Sequence, residues 1–137
     1  MAIINVVAGI IQNADGRILL ARRKPGIHLE GYWEFPGGKI EDGESPEESL
    51  ERELLEELGI TTKTGTFFTE SIHAYGNKQI KLHAYFSTYL KGEIILDSHD
   101  QVAWITANEG LEYDLAPADL PIMKALRLRL VTMSTLE

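Results

Sequence analysis

The chain has 137 residues, 44% of them hydrophobic, which is enough for one compact core, and we expect a single domain over residues 1–137. Its 21 acidic and 13 basic side chains give a formal net charge of -8, which argues against binding to nucleic acid polymers. The absence of cysteine excludes disulfides and thiol chemistry and is compatible with a cytoplasmic location. We expect no membrane association, because no apolar run is long enough to span a bilayer.

The first elements are predicted to form a β-hairpin. Residues 3–11 are apolar and rich in β-formers, residues 13–16 are a turn signal, and residues 17–22 form the returning strand. Three adjacent bases end this strand at residues 22–24. Such a cluster is common in soluble loops, but it also suits the phosphates of a substrate, and we choose Arg23 as the phosphate-binding candidate.

A short aromatic strand is predicted next, over residues 31–38, and it ends in paired glycines. Trp33 is expected in the core because it alternates with Glu34. Gly37 and Gly38 allow the backbone to approach a ligand closely, or to expose a carbonyl group to a metal ion.

Acidic charge is concentrated in residues 38–60, which contain nine acids and two bases, whereas the rest of the chain is nearly neutral. An acidic coat that serves solubility alone would be spread more evenly. The concentration therefore indicates a local cause such as cation binding.

The second half of this stretch is predicted to be a helix with a signal at each end. Ser45 is a favourable N-cap, Pro46 suits the first helical position, and Glu48 completes a capping box with Ser45. Gly59 then supplies the left-handed residue that ends the helix.

The predicted helix carries two neighbouring stripes of side chains. An apolar stripe that must face a core comprises Leu50, Leu54 and Leu58. An acidic stripe lies about a quarter turn away and comprises Glu53, Glu56 and Glu57. A solvated acidic face is one interpretation, although like charges at this spacing cost a few tenths of a kcal/mol per pair and Arg52 can relieve only Glu56 at i+4. We favour a hard cation such as Mg²⁺, which binds carboxylate oxygens and bridges them to substrate phosphates.

Residues 38–60 follow the pattern G-x5-E-x7-R-E-L-x-E-E-x-G-I. This pattern resembles the signature of the Nudix hydrolases, the Nudix box, at every defined position. The resemblance implies hydrolysis of a nucleoside diphosphate linked to another moiety, with Mg²⁺ or Mn²⁺ held by the glutamate-rich helix. It also implies an α/β fold of the α+β sandwich kind, in which a mixed, curved sheet lies between the Nudix-box helix and a C-terminal helix.

Within that family the chain is similar to MutT-like members, and residues 115–119 resemble the CTP pyrophosphohydrolase branch. The similarity implies metal ligation by the carbonyl of Gly37 as well as by the acidic stripe. It implies base contacts near Glu34 and Phe35. Further contacts with the nucleotide are implied at His28, Gly38 and Lys39.

Beyond the helix, residues 64–73 and 79–90 are predicted as two strands joined by a turn at 75–78. His73 and His83, within these strands, are interpreted as packing residues without a catalytic role. A further strand is predicted over 102–105. Many MutT-like relatives carry a Glu-His pair just before it, and that Glu is an additional metal ligand, whereas this chain has Ser98. Either Asp97 or Asp100 substitutes for that ligand, or the helix glutamates suffice.

The C-terminal segment contains Asp119, followed by a predicted amphipathic helix whose apolar face carries Ile122, Leu126 and Leu130. Asp119 is either a helix N-cap or, as the resemblance implies, the residue that recognises the base. An ionised Asp119 only accepts hydrogen bonds, so it suits two N–H donors of guanine or one exocyclic amine of cytosine or adenine.

The predicted function is metal-dependent hydrolysis of a nucleoside triphosphate to a monophosphate and pyrophosphate, with Glu53 positioning or deprotonating the water. Oxidised or modified nucleotides, 8-oxo-dGTP or a (d)CTP-type molecule, are the expected small-molecule substrates of a monomer or homodimer. One alternative is hydrolysis of ADP-ribose, a nucleoside diphosphate sugar or a dinucleoside polyphosphate. Another is a catalytically weak nucleotide-binding regulator.

Overall fold

The computed structural model describes residues 2–136, with side chains described as far as residue 129. In chain order the elements are β1 (Ala2–Gln12), β2 (Ile18–Arg23), β3 (Trp33–Glu34), β4 (Gly37–Lys39), α1 (Pro46–Leu58), β5 (Thr61–Tyr75), β6 (Lys78–Lys91), β7 (His99–Ile105), a 3₁₀ helix (Ala107–Glu112) and α2 (Leu120–Leu136). The predicted apolar contact of Leu130 lies outside the described side chains. Within residues 2–136, no helix is long and apolar enough to cross a membrane.

The sheet is mixed and is built around β1. This strand pairs in parallel with β6 along its whole length and antiparallel with β4. On one side, β5 pairs antiparallel with β6 and forms the edge. On the other side, β2 pairs antiparallel with β3 and β7. The long parallel pairing of β1 with β6 joins the start of the chain to its middle.

The structure contains the turn of the predicted hairpin. The Asn13 side chain accepts hydrogen bonds from the amides of Asp15, at 3.1 Å, and Arg17, at 2.9 Å. The two strands share the pair Gln12 and Ile18 and then diverge, because β1 pairs with β4 and β6 while β2 pairs with β3 and β7.

Both ends of α1 match the sequence prediction. The Ser45 hydroxyl accepts from the amide of Glu48 at 3.1 Å, and the Glu48 carboxylate accepts from the amide of Ser45 at 3.1 Å. Gly59 ends the helix in the left-handed conformation, with φ 69°. These caps fix the two ends of α1, and the spacing of its leucines sets the face that is buried.

The two α-helices lie on opposite faces of the sheet, as predicted. Because side chains alternate along a strand, β1 and β2 contribute to both faces. The cluster on one face comprises Val7, Ile11, Leu19, Leu50, Leu54, Leu58 and Ile60. The cluster on the other face includes Ala8, Ile10, Leu20, Trp33, Ile122, Met123 and Leu126. The acidic stripe of α1 is thus held at the rim of the first cluster.

The prediction of one strand over residues 31–38 was wrong, because the segment forms two short strands, β3 and β4. Pro36 has no amide hydrogen, and the amide of Phe35 donates to the side chain of Asp119 instead of to a strand. The chain therefore leaves β2 at Phe35 and joins β1 at Gly37.

Candidate active site

A cavity of about 620 Å³ lies between the sheet and the loops, within the usual size range for small-molecule pockets. Its polar lining comprises Arg23, His28, Glu34, Lys39, Tyr75, Asn77, Lys78 and Asp119. Its apolar lining includes Ile4, Val6, Leu29, Ile80 and Leu82. A smaller cavity of about 120 Å³ shares Arg23, Glu34 and Asp119 with it and extends to Phe35, Gly37 and Gly38. Each residue that the sequence suggested for substrate contact therefore lines one of these two cavities.

The paired glycines connect the smaller cavity to α1. A Cβ atom on Gly37 would lie 1.9 Å from the carbonyl oxygen of Val7, so this position has no room for a side chain. A Cβ atom on Gly38 would lie 2.3 Å from Cδ of Glu53. The Glu53 carboxyl group is thus pressed against the Gly38 backbone, beside the smaller cavity.

Arg52 is the main counter-ion of the acidic stripe. Its Nε and Nη2 atoms lie 2.8 and 2.9 Å from the two carboxylate oxygens of Glu44. Its Nη1 atom lies 3.0 Å from Glu53 and 3.1 Å from Glu56. Hydrogen bonds from Arg52 first, and from Ser49 second, lower the pKa of Glu44 to about 2. The sequence predicted the contact with Glu56 but not those with Glu44 and Glu53.

Within the stripe, Glu53 and Glu57 are in different environments. Burial raises the pKa of Glu53, in spite of the neighbouring Arg52 guanidinium. The Oε2 atom of Glu57 is buried and has no hydrogen-bond partner among the described residues. A buried carboxylate oxygen without a donor is unfavourable, and a bound cation would satisfy it.

The stripe has the chemistry that a hard cation requires, namely carboxylate oxygens on one helix face. Among the residues whose side chains are described, no three carboxylate or imidazole groups converge on one ion position. Glu53 and Glu56 both face Arg52 instead. Joint binding by the stripe therefore needs at least one of these side chains to rotate away from Arg52.

Asp119 lines both cavities and is only 5% exposed. Its Oδ2 atom accepts a hydrogen bond from the amide of Phe35 at 2.9 Å. Burial first, and the negative charge of Glu34 second, raise the pKa of Asp119 well above its ordinary value. The side chain points to Phe35, and the contacts of Asp119 with the first turn of α2 are made by its backbone carbonyl. Asp119 therefore occupies the N-cap position of α2 through its backbone, whereas its side chain binds the Phe35 amide and does not cap the helix.

A second group of polar side chains spans β2, β3 and β7. Arg23 Nη1 lies 3.1 and 3.3 Å from the two carboxylate oxygens of Glu34, and Arg23 Nε donates to the carbonyl oxygen of His28 at 2.6 Å. The Nε2 atom of His99 lies 2.8 Å from Glu34 Oε2. Sequence reasoning gave His99 no role, although His99 takes the place of the histidine in the Glu-His pair of MutT-like relatives.

Asp97 and Asp100, the two acids near Ser98, differ in their contacts. Arg22 binds both carboxylate oxygens of Asp100, at 2.8 and 3.1 Å, and this pairing lowers the pKa of Asp100. Asp97 is exposed, and the backbone carbonyl of Ser98 accepts from the amide of Lys24 at 3.1 Å. Both acids are exposed, but Asp100 is already paired with Arg22.

The turn between β5 and β6 also reaches the large cavity, which the sequence did not indicate. Tyr75, Asn77 and Lys78 line the cavity, and the Tyr75 hydroxyl accepts from the amide of Ala118 at 3.3 Å. The turn itself was predicted, but its position follows from the parallel pairing of β1 with β6. Such long-range pairing leaves no local signal in the sequence.

Comparison with known proteins identifies the family. Residues 3–126 match the NUDIX domain model. The CTP pyrophosphohydrolase of Escherichia coli (strain K12) is 41% identical over 125 residues, which cover 91% of this chain and 92% of that protein. The 8-oxo-dGTP diphosphatase of the same strain is 32% identical over 124 residues, which cover 90% of this chain and 96% of that protein.

The fold is shared with solved structures of the same family. The solution structure of the E. coli ORF135 protein superposes with a TM-score of 0.82 at 40% identity, covering 93% of this chain and 91% of that one. Nudix proteins generally use divalent cations, and the acidic stripe lies within the matched residues. The chain therefore belongs to the Nudix family, as a hydrolase of its MutT-like branch.

Proposed function

We propose that this chain is a Mg²⁺-dependent nucleoside triphosphate pyrophosphohydrolase that releases a nucleoside monophosphate and pyrophosphate. The observation that carries the proposal is a pair of cavities that share Arg23, Glu34 and Asp119 in their lining. Asp119 lines both cavities, and the smaller cavity extends to Gly38, against which Glu53 is pressed. A base bound near Asp119 would direct its phosphates towards the acidic stripe.

A cytidine-type base is the leading candidate, with 8-oxo-dGTP as the other. The raised pKa of Asp119 favours its neutral acid, and because Oδ2 already accepts from the Phe35 amide, the proton belongs on Oδ1. A neutral acid presents one donor and one acceptor side by side, which complements N3 and the N4 amine of cytosine. The 41% identity to a CTP pyrophosphohydrolase supports the same choice.

Guanine and 8-oxoguanine present two adjacent N–H donors, which suit the ionised form of Asp119. Because the chain is 32% identical to an 8-oxo-dGTP diphosphatase, 8-oxo-dGTP is included among the substrates to be tested. Removal of modified or oxidised nucleotides from the pool is the physiological role that either substrate supports.

The residues that would hold the cation are Glu53, Glu56, Glu57 and the carbonyl of Gly37, with Mn²⁺ as an alternative to Mg²⁺. When bound, such an ion neutralises the diphosphate and lowers the pKa of a coordinated water. We assign to Glu53 the positioning or deprotonation of the water. Its burial and raised pKa strengthen it as a proton acceptor.

Positive side chains of the pocket would bind the phosphates. Arg23 and Lys39 both line the large cavity, and Arg23 is held in place by Glu34 and by the His28 carbonyl. We expect the enzyme to act on free nucleotides, because a net charge of -8 opposes binding to a nucleic acid polymer. We expect it to be a monomer or a homodimer.

The test is chromatography of the products formed with Mg²⁺ from CTP, 5-methyl-dCTP, dGTP, 8-oxo-dGTP, ADP-ribose and a dinucleoside polyphosphate. Monophosphate plus pyrophosphate from a triphosphate is the expected result. Cleavage of ADP-ribose or the dinucleotide alone would move the chain to another substrate class, and nucleotide that binds without being cleaved would favour the regulator.

Two variants locate the chemistry. Glu53→Gln should lower kcat by about 10²-fold or more, because general-base catalysis contributes about that much. Glu57→Gln serves as the blank for metal-dependent turnover. Near-normal turnover by a folded Glu53→Gln variant would reassign the base to Glu56, Glu57 or an acid near Ser98.

A further inference from the structure

His99 is buried, with 6% of its surface exposed, although it is the first residue of strand β7. Its neighbours fix its backbone from both sides. The carbonyl of Ser98 accepts from the amide of Lys24, and Asp100 is bound by Arg22 through both carboxylate oxygens. The imidazole is buried, and its one hydrogen-bond partner among the described residues is Glu34.

Glu34 lines both cavities, and its carboxylate receives hydrogen bonds from two sides. Arg23 donates to it from β2, and His99 approaches Oε2 to 2.8 Å from β7. Arg23 in turn donates to the carbonyl of His28, in the loop that also lines the large cavity. His99 is therefore the first member of a chain of hydrogen bonds that ends at the wall of the pocket, although His99 itself lines neither cavity.

Because Arg23 donates to both oxygens of Glu34, we take this carboxylate as the acceptor in its contact with His99, which requires the proton on Nε2. Without that donor, Glu34 would keep Arg23 as a partner but would lose the contact that fixes it from the opposite side. A glutamate side chain has three rotatable bonds, and fixing it restricts Arg23 as well.

We propose that His99 is a positioning residue for the nucleotide pocket: its Nε2–H fixes Glu34, and through Glu34 it fixes Arg23 and the His28 loop. This inference rests on the proposed function, because it treats the large cavity as the site for the nucleoside. His99 itself does not touch the substrate.

The test compares two amides that place a donor at different points. The side-chain nitrogen of Gln can occupy the position of Nε2, whereas that of Asn reaches only the position of Nδ1. We expect His99→Gln to keep KM for the preferred triphosphate within about threefold of the original, and His99→Asn to raise it about tenfold with little change in kcat. If His99 served packing alone, the Gln and Asn variants would not differ in KM while keeping the same kcat.

Equal KM values for the two variants, or a loss of kcat alone in His99→Asn, would overturn the proposal. The matched control is His83, whose Nε2 lies 3.1 Å from Asn5 Oδ1 in the same sheet. His83→Gln and His83→Asn should both leave KM unchanged, because neither His83 nor its partner Asn5 is among the residues that line the two cavities, whereas Glu34 lines both. Thermal unfolding of all four variants establishes that they are folded.

Two further measurements test the inference without relying on hydrolysis of a nucleotide. Calorimetric binding of CMP and GMP without metal should show the same order of Gln over Asn, and this order can hold even if no triphosphate is cleaved. If the Asn variant does not fold, ¹⁵N NMR of the original protein shows which imidazole nitrogen of His99 carries the proton. A neutral imidazole protonated only on Nδ1 of His99 would overturn the proposal, and a proton on Nε2 would support it.

Discussion

The Glu53 carboxyl group occupies the space that a side chain on residue 38 would take, since a Cβ atom on Gly38 would lie 2.3 Å from Glu53 Cδ. The glycine of the Nudix box is thus paired in space with a half-buried acid of its helix. The contact holds the acidic stripe beside the cavity that contains Asp119.

We expect Gly38→Ala to lower kcat by about 10²-fold, because displacement of a reacting group by about 1 Å can cost that much. Steady-state hydrolysis of the preferred nucleotide measures the effect. Gly65→Ala is the control, because its Cβ would meet only the Phe86 carbonyl at 3.5 Å, and it should leave kcat unchanged. Full activity in Gly38→Ala would show that the position of Glu53 is not critical.

Replacing Asp119 by Asn should change how stability depends on pH. Burial and Glu34 raise the pKa of Asp119 in the folded state, so the folded protein holds this proton to higher pH than the unfolded chain does. Stability from this group is complete below the unfolded pKa of about 3.9 and is lost as pH rises through the folded value. An asparagine keeps an acceptor for the Phe35 amide and has no such loss.

The melting temperature of Asp119→Asn relative to the original protein should therefore increase between pH 5 and pH 8. Thermal unfolding followed by circular dichroism at both values measures it. A constant difference across that range would show that Asp119 ionises normally. The Asp97→Asn variant controls for the loss of an acid, because Asp97 is exposed.

Removal of the Arg52 side chain should free Glu44. In Arg52→Gln, we expect the pKa of Glu44 to rise from about 2 towards its ordinary value, because the hydrogen bonds from Arg52 are the main cause of its shift. A carboxyl ¹³C titration by NMR measures this change directly. A low pKa retained in Arg52→Gln would assign the shift to Ser49 instead.

The lowered pKa also predicts acid sensitivity. In the original protein, the contribution of Glu44 to stability is present above the ordinary pKa and is lost as pH falls towards about 2. Arg52→Gln lacks this contribution, so the two proteins should converge in stability at low pH. Arg17→Gln, which removes a partly exposed pair with Glu109, should not alter the titration of Glu44.

Loss of the cap on α1 should reduce stability and spare the chemistry. Ser45→Ala removes the acceptor for the Glu48 amide and should cost about 1 kcal/mol. For a chain of this size, that corresponds to a drop of about 4 °C in melting temperature. Ser45→Asp retains an acceptor and should restore the loss, whereas an equal drop in both variants would contradict the capping role.

The sequence by itself determined α1 and the chemistry of its acidic stripe. Caps, a stripe of leucines at helical spacing and clustered glutamates are local features, because they depend on residues within one or two turns of each other. The Nudix box lies in one continuous stretch for the same reason, which is why the family could be inferred from residues 38–60.

Only the tertiary structure decided which residues meet at the pocket. Asp119 and Phe35 are far apart in the chain, as are His99 and Glu34, and the pairing of β2 with β3 and β7 brings the second pair together. The division of residues 31–38 into β3 and β4 has the same cause, since the Phe35 amide bonds to Asp119. Contacts between residues distant in sequence depend on how strands pair across the sheet, and no local pattern records that pairing.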